Sequence, residues 1–352
     1  MTIYDELPAI YRIKRAQTDV DRIANEFYEA SLDLDPVLAT EHGRTGVETL
    51  FGDYSPAGEE AYAKLVKKTL KKLDKVIPID DTDLVTLDAM QERLTLTRQM
   101  RRAGLGQWQL NNIFSAPQQI RTSFDLMSRE NERDWAHIAG RLANVPGAID
   151  GFIQTLEAAR AEGKVSPRRQ VQIVIEQAEA YIADGGFFDA LAAEITAAAP
   201  AITEQAREGA QAAKDGYRAL ITYLRDTLLP EAPSKDAVGR ELYTLYSRES
   251  LGASIDLDET YAWGVQELER IITEQHTVAS EIEPGASIER AKELLDMDPV
   301  RALHGTEALR EWMQTHADTA VEALAGTHFD IGGPMLNIEC RIAPTHEGGI
   351  YY

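Results

Sequence analysis

The stretch SPRRQVQIVIEQAEAYIADGG, Ser166–Gly186, reads as a helix with its own punctuation. Val171, Val174, Ile175, Ala178 and Ile182 recur at the 3.6-residue period and form one apolar stripe, with polar residues between them. Ser166 is placed as the N-cap with Pro167 at the first helical position, and Gly185-Gly186 closes the segment. A cap contributes only about 1 kcal/mol, so burial of the stripe has to carry the helix.

The same pattern extends in both directions, from Asp19 to Gly326. Upstream, Ser55-Pro56 repeats the opening, with Tyr62, Leu65, Val66, Leu70 and Leu73 expected inward and a lysine face (Lys64, Lys67, Lys68, Lys71, Lys72, Lys75) mostly in solvent. Helices are expected over 84–103, 118–127, 133–145 and 148–162, the last stopped by Gly163. An alanine-rich pair follows over 189–229, broken near Pro200. Pro230 and Pro233 mark the best linker candidate. The longest helix is expected over 258–282, with Tyr261, Val265, Leu268, Ile271, Ile272, Gln275 and Ile282 facing in, and another over 307–325. No repeat of fixed period is evident, which argues against a solenoid.

One region departs from this period. Leu336, Ile338, Cys340 and Ile342 alternate with Asn337, Glu339 and Arg341, which reads as a strand ended by Pro344. Thr345 to Gly349 supplies turn chemistry, and Ile350-Tyr351-Tyr352 starts a second β-prone segment. The expected fold is mainly α, a large multi-helix array with a short β-hairpin beginning at the C-terminus. Its regions are 1–229, helical; 230–334, a second helical region; and 335–352, the start of the hairpin.

With 352 residues the chain is long enough to bury roughly 75% of its unfolded surface without a disulfide or metal. One cysteine, Cys340, excludes an internal disulfide framework, and Met1–Arg15 lacks a long apolar core, so the expected address is cytoplasmic. No apolar run approaches the roughly 18 residues of a membrane span, and a formal charge of −22 repels phosphate backbones and anionic lipid. Neither nucleic acid nor membrane is an expected partner.

The seven histidines never fall three to five apart, and His346-Glu347 is followed by Ile350 where a zincin motif requires histidine. Asp134 and His137 have carboxylate-x-x-His spacing, but a di-iron bundle needs two such units, so a surface pair is expected. His316 shares a stripe with Leu309, Trp312, Met313 and Ala320 and is expected as a core histidine bonded to backbone. Cys340 lies on the apolar face of the strand, where a thiol behaves as a small hydrophobe.

Several segments together resemble a known family. They include Asp53-Tyr54-Ser55-Pro56, Phe124-Asp125-Leu126-Met127, Asp134-Trp135 and Asp256-Leu257-Asp258-Glu259-Thr260-Tyr261-Ala262-Trp263-Gly264. Trp312-Met313-Gln314, Thr327-His328-Phe329-Asp330-Ile331, Ile338 to Pro344 and Gly348 to Tyr352 complete the series. On these residues the chain resembles the bacterial domain of unknown function 885 family, whose members are similar to helical zinc-dependent oligopeptidases. The resemblance implies zinc-dependent peptide-bond hydrolysis with a peptide substrate. It also implies a metal-binding helix, a His-Glu pair followed by Pro-Gly-His-His, located beyond these 352 residues. Zinc is then a cofactor of the full-length family and is not bound by this chain, which would be the helical amino-terminal portion of a longer enzyme and inactive alone.

The resemblance further implies an edge strand that holds an extended peptide by strand addition. Tyr351, Tyr352, Arg341 and Glu339 are the expected substrate contacts, with packing of both tyrosines on the helical wall as the competing reading. The alternative function is a non-catalytic helical module that binds a peptide or protein.

Overall fold

The computed structural model describes residues 15–125 and 127–343. They divide into two compact units: one formed by Ala16–Ser254, the other, among the described residues, by Arg15 and residues 255–343. Both are built from helices.

The first unit runs α1 (Asp19–Leu34), α2 (Pro36–Glu41), α3 (Pro56–Leu73), α4 (Asp81–Arg102), α5 (Ala116–Thr122), α6 (Glu132–Ala161), α7 (Arg168–Ile182), α8 (Phe187–Ala198), α9 (Thr203–Tyr223) and α10 (Arg240–Leu251). Its centre is α6 against α9. Small residues make that approach possible: Ala206, Ala210 and Ala213 are buried, and a Cβ added at Gly209 would lie 3.0 Å from Cβ of Leu142. One added at Gly216 would lie 3.1 Å from Cα of Pro146.

This packing explains a difference from the sequence reading. Two helices were expected on either side of Pro146, and the structure has one, α6, running through it. A proline inside a helix costs about 3 kcal/mol in a missing hydrogen bond and a ring clash. Burial of Leu142 and Val145 before it, and of Ile149, Phe152 and Leu156 after it, outweighs that cost.

On α7, Val171, Val174, Ile175 and Ala178 are buried as expected, while Tyr181 is buried more completely than Ile182. Ser166 does not cap it. The helix starts at Arg168 with Pro167 in the cap position, and the buried Ser166 hydroxyl accepts the Leu110 N–H at 2.8 Å. The linker expected at Pro230 and Pro233 is pinned: Ala232 is buried, and Arg168 N–H donates to the Pro233 carbonyl at 2.8 Å. A smaller apolar cluster joins α1, α3 and α4 through Ile23, Val66, Leu70, Leu73 and Leu94. Tyr62, expected inward, is exposed, and Lys72 on the lysine face reaches Glu26.

Two buried guanidiniums lie near the centre of the unit. Arg121 Nη1 bonds Asp125 Oδ2 at 2.6 Å and stands 4.1 Å from the centroid of the Phe187 ring. Arg141 donates to the Ser123 carbonyl and the Thr40 hydroxyl, and burial brings its pKa down to about 10.

At the surface, the Arg160 guanidinium, with the Tyr223 hydroxyl donating as well, holds Glu157 down to about 2. A depressed carboxylate contributes stability above its unfolded value near 4.3 and loses it as pH falls toward the folded value. The difference in melting temperature between the wild type and Glu157→Gln is therefore expected to be constant above about pH 5 and to shrink by pH 2.5. A difference independent of pH over that window would contradict this.

The second unit comprises α11 (Leu257–Ile282), α12 (Ile288–Met297) and α13 (Thr306–Leu324), then a 3-10 turn Gly333–Leu336 and an irregular segment to residue 343. Asp256 caps α11 by accepting from the Asp258 and Glu259 N–H groups. The stripe on α11 is in register as expected, but it is not covered: Tyr261 is 77% exposed and Leu268 57%. Among the described residues only Ala279 on α11 and Ala291 on α12 are buried in this unit.

The expected C-terminal β-hairpin is not seen. Residues 337–343 form no strand, and the only bridge among the described residues joins Ala325 to Phe329. Alternation specifies which face of a segment is apolar, whereas a strand also needs a neighbouring backbone to complete its ladder. The second arm, Ile350–Tyr352, lies outside the described residues, as does the turn before it.

Candidate functional site

The segment that alternates like a strand lies against α13 and is held by one side chain. Gln314 Nε2 donates to the Ile338 carbonyl at 2.7 Å, and Gln314 Oε1 accepts the Cys340 N–H at 2.8 Å. In a parallel ladder a residue of the neighbouring strand bonds the carbonyl of residue i and the N–H of residue i+2. The Gln314 amide makes that pair of bonds. It stands in for one residue of a missing strand.

Backbone groups alternate sides along an extended chain, so the opposite side of this segment is the one that Glu339 presents. No partner for the Glu339 N–H or carbonyl is present among the described residues. Leu336, Ile338 and Ile342 of this segment, and Leu309, Trp312 and Met313 on α13, the helix that carries Gln314, are each between 40% and 49% exposed.

The expected site residues fall out as follows. Glu339 and Arg341 pair with each other at 2.6 Å, and that bond draws the Glu339 carboxyl below its ordinary range. Both are exposed, so the pair is worth little. Tyr351 and Tyr352 lie outside the described residues. Gln314 is the residue that sequence reasoning missed; it belongs to the quoted Trp312-Met313-Gln314 triplet, but its polar position on α13 resembles any solvated glutamine.

His316 keeps the backbone bond expected of it, Nδ1 with the Trp312 carbonyl at 2.9 Å, and its ring lies 4.0 Å from the Trp312 ring. It is exposed, which corrects the expectation of a core histidine. Cys340 is partly buried. Asp134 accepts from Ser128 and from the Glu130 and Asn131 amides, while His137 faces Glu48 at 4.0 Å, so the two act separately at the surface. Among the described residues, no three His, Cys, Asp or Glu side chains come together as a metal would require. No helix among them is long and apolar enough to cross a membrane.

Residues 36–352 match the family described as bacterial protein of unknown function (DUF885). Among solved structures, the chain is similar to a candidate lipoprotein from Colwellia psychrerythraea, with a TM-score of 0.64 at 16% identity, over 87% of this chain and 60% of that one. It is also similar to a candidate lipoprotein of unknown function from Shewanella oneidensis, with a TM-score of 0.57 at 14% identity, over 88% of this chain and 57% of that one. At such identities the likeness is one of fold. The chain thus spans about 60% of the length of these structures. No curated protein matches it.

Proposed function

Because the chain belongs to this family of bacterial proteins of unknown function, matched over most of its length, we propose that it is the helical portion of a longer, peptidase-like protein and that its own part is to hold polypeptide. The carrying observation is the half-completed ladder at 338–340, closed on one side by Gln314 and open on the other at Glu339. A peptide added there gains affinity from main-chain bonds, and its apolar side chains cover the exposed Ile338 and Ile342. The span of only about 60% of the solved structures supports the first half of the proposal.

Zinc-dependent hydrolysis belongs, on this reading, to the complete family protein. The described residues bring no ligand set together that fits the metal, so no catalytic step is assigned to them. The non-catalytic peptide-binding module remains the second reading, favoured by the open edge itself.

The test separates backbone from side chain. Glu339→Pro removes the N–H, whereas Glu339→Ala keeps it. A fluorescein-labelled hexapeptide rich in valine and phenylalanine is expected to lose about tenfold in affinity with the proline variant, the equivalent of one hydrogen bond, and at most about twofold with alanine. Equal losses in both would eliminate strand addition. Zinc near one equivalent per chain, with chelator-sensitive peptide hydrolysis by the 352 residues, would replace this reading with a catalytic one.

A further inference from the structure

A second site, in the unit formed by Ala16–Ser254, is carried by charge. A cleft of about 920 Å³ opens between α3, α4, the turn 104–109, α6 and α10. Ligand pockets run from about 300 to 1,000 Å³, so this one has room for several residues of a peptide and is oversized for a single small anion. Gly104, at φ 83° in the left-handed region, ends α4 and turns the chain back. Trp108 is then fixed by its indole N–H, which donates to the Gly104 carbonyl at 3.0 Å, and is held half-buried in the cleft wall with Tyr62.

The lining carries five cations against three carboxylates in a chain whose formal charge is −22. Arg101 is neutralised by Glu60 at 2.8 Å and Lys164 by Glu162 at 2.7 Å. Lys67, Arg98 and Arg102 have no carboxylate at ion-pair distance among the described residues, although Lys67 helps from farther away to lower the Glu60 carboxyl pKa. Glu59 and Glu249 also line the cleft, which leaves three such cations against two carboxylates. Arg98 and Arg102 lie one turn apart on α4, an arrangement of like charges that costs about 0.2–0.5 kcal/mol when nothing lies between them. The dipole at the C-terminus of α4 accounts for Arg101 and Arg102, which lie in its last turn. It does not account for Arg98, nor for Lys67 on the facing helix, whose field reaches Glu60 without an ion pair.

We propose that this cleft binds an acidic oligopeptide, with carboxylates on Lys67, Arg98 and Arg102 and an apolar side chain against Trp108 and Tyr62. Guanidiniums one helical turn apart match carboxylates bidentately, and an aromatic wall beside them favours a ligand with an apolar part. The site is independent of the open edge at Glu339.

Fluorescence anisotropy tests it with a labelled tetrapeptide of three glutamates and one phenylalanine, alongside its glutamine counterpart. The wild type is expected to bind the acidic peptide at least tenfold more tightly, with affinity falling as salt rises. Arg98→Gln/Arg102→Gln is expected to abolish the preference while leaving the far-ultraviolet circular dichroism unchanged, since both side chains are exposed. Arg207→Gln, a surface arginine on α9 paired with Glu204, is expected to keep it. Equal affinity for the two peptides, an equal loss in Arg207→Gln, or displacement of the peptide by equimolar citrate would each overturn the proposal. Retention of acidic-peptide binding in Glu339→Pro is expected, and its loss there would assign the binding to the other unit.

Discussion

Gly58→Ala is expected to destabilise the protein by about 3 kcal/mol, although alanine is the better helix former. Gly58 lies in the first turn of α3, where the chain from Asp53 to Ser55 folds back over the helix start. A Cβ on Gly58 would fall 1.8 Å from the Asp53 carbonyl oxygen and 2.9 Å from Asp53 Cβ. Backbone cannot move aside as a flexible side chain can, so the loop must shift. It is tied down elsewhere: Ser55 caps α3 through the Ala57 N–H, the Tyr54 carbonyl accepts from the Thr155 hydroxyl at 2.7 Å, and a Cβ added at Gly151 of α6 would lie 3.2 Å from the Ser55 backbone nitrogen. The comparison is Gly147→Ala on the exposed side of α6, where an added Cβ meets nothing within 4 Å. That change is expected to stabilise by about 0.5–1 kcal/mol. Urea unfolding with an unchanged slope measures both. Two changes of the same sign would refute the argument.

Asp125→Ala should produce a loss of about 3–5 kcal/mol, because it removes a carboxylate that bonds the Arg121 guanidinium at 2.6 Å in a buried site. Both side chains are 4% exposed, and Arg121 is enclosed by the Phe187 and Tyr181 rings. Replacing the pair together, Arg121→Met with Asp125→Leu, is expected to recover most of that loss, since apolar side chains of similar size remove both buried charges at once. If the double variant is as unstable as Asp125→Ala, the pair contributes through geometry that apolar side chains cannot supply.

Much of the helical architecture was legible because it rests on local rules. Burial of the 171–178 stripe and the Ser55-Pro56 start of α3 follow from periodicity and capping, which involve residues within a turn or two of each other. The errors occur where a distant contact decides. Pro146 was read as a boundary, and the close approach of Gly216 makes it an interior position of α6. Ser166 was read as a cap, and Leu110, distant in sequence, takes its hydroxyl instead.

The candidate site shows the same division. Alternation from Leu336 to Ile342 reads as a strand, and no strand forms there; Glu339 and Arg341 fall in an irregular segment. Pairing is not a local property, however: the segment is held by Gln314, from another element, and by one rung only. The cleft beside Trp108 left no motif at all, since Lys67, Arg98 and Arg102 come from two helices, one of them read as a solvated lysine face and the other read only for its period.

By itself the sequence determined that this protein is helical, which faces of its helices are apolar, and which family it resembles, because hydrophobic period, caps and motifs are properties of neighbouring residues. Only the tertiary structure decided which of those apolar faces are covered. The stripe on α7 is buried against α8 and α9, while that on α11 is open, although the two are written in the same pattern. Burial depends on what a face meets, and a helical period specifies a face without specifying its partner.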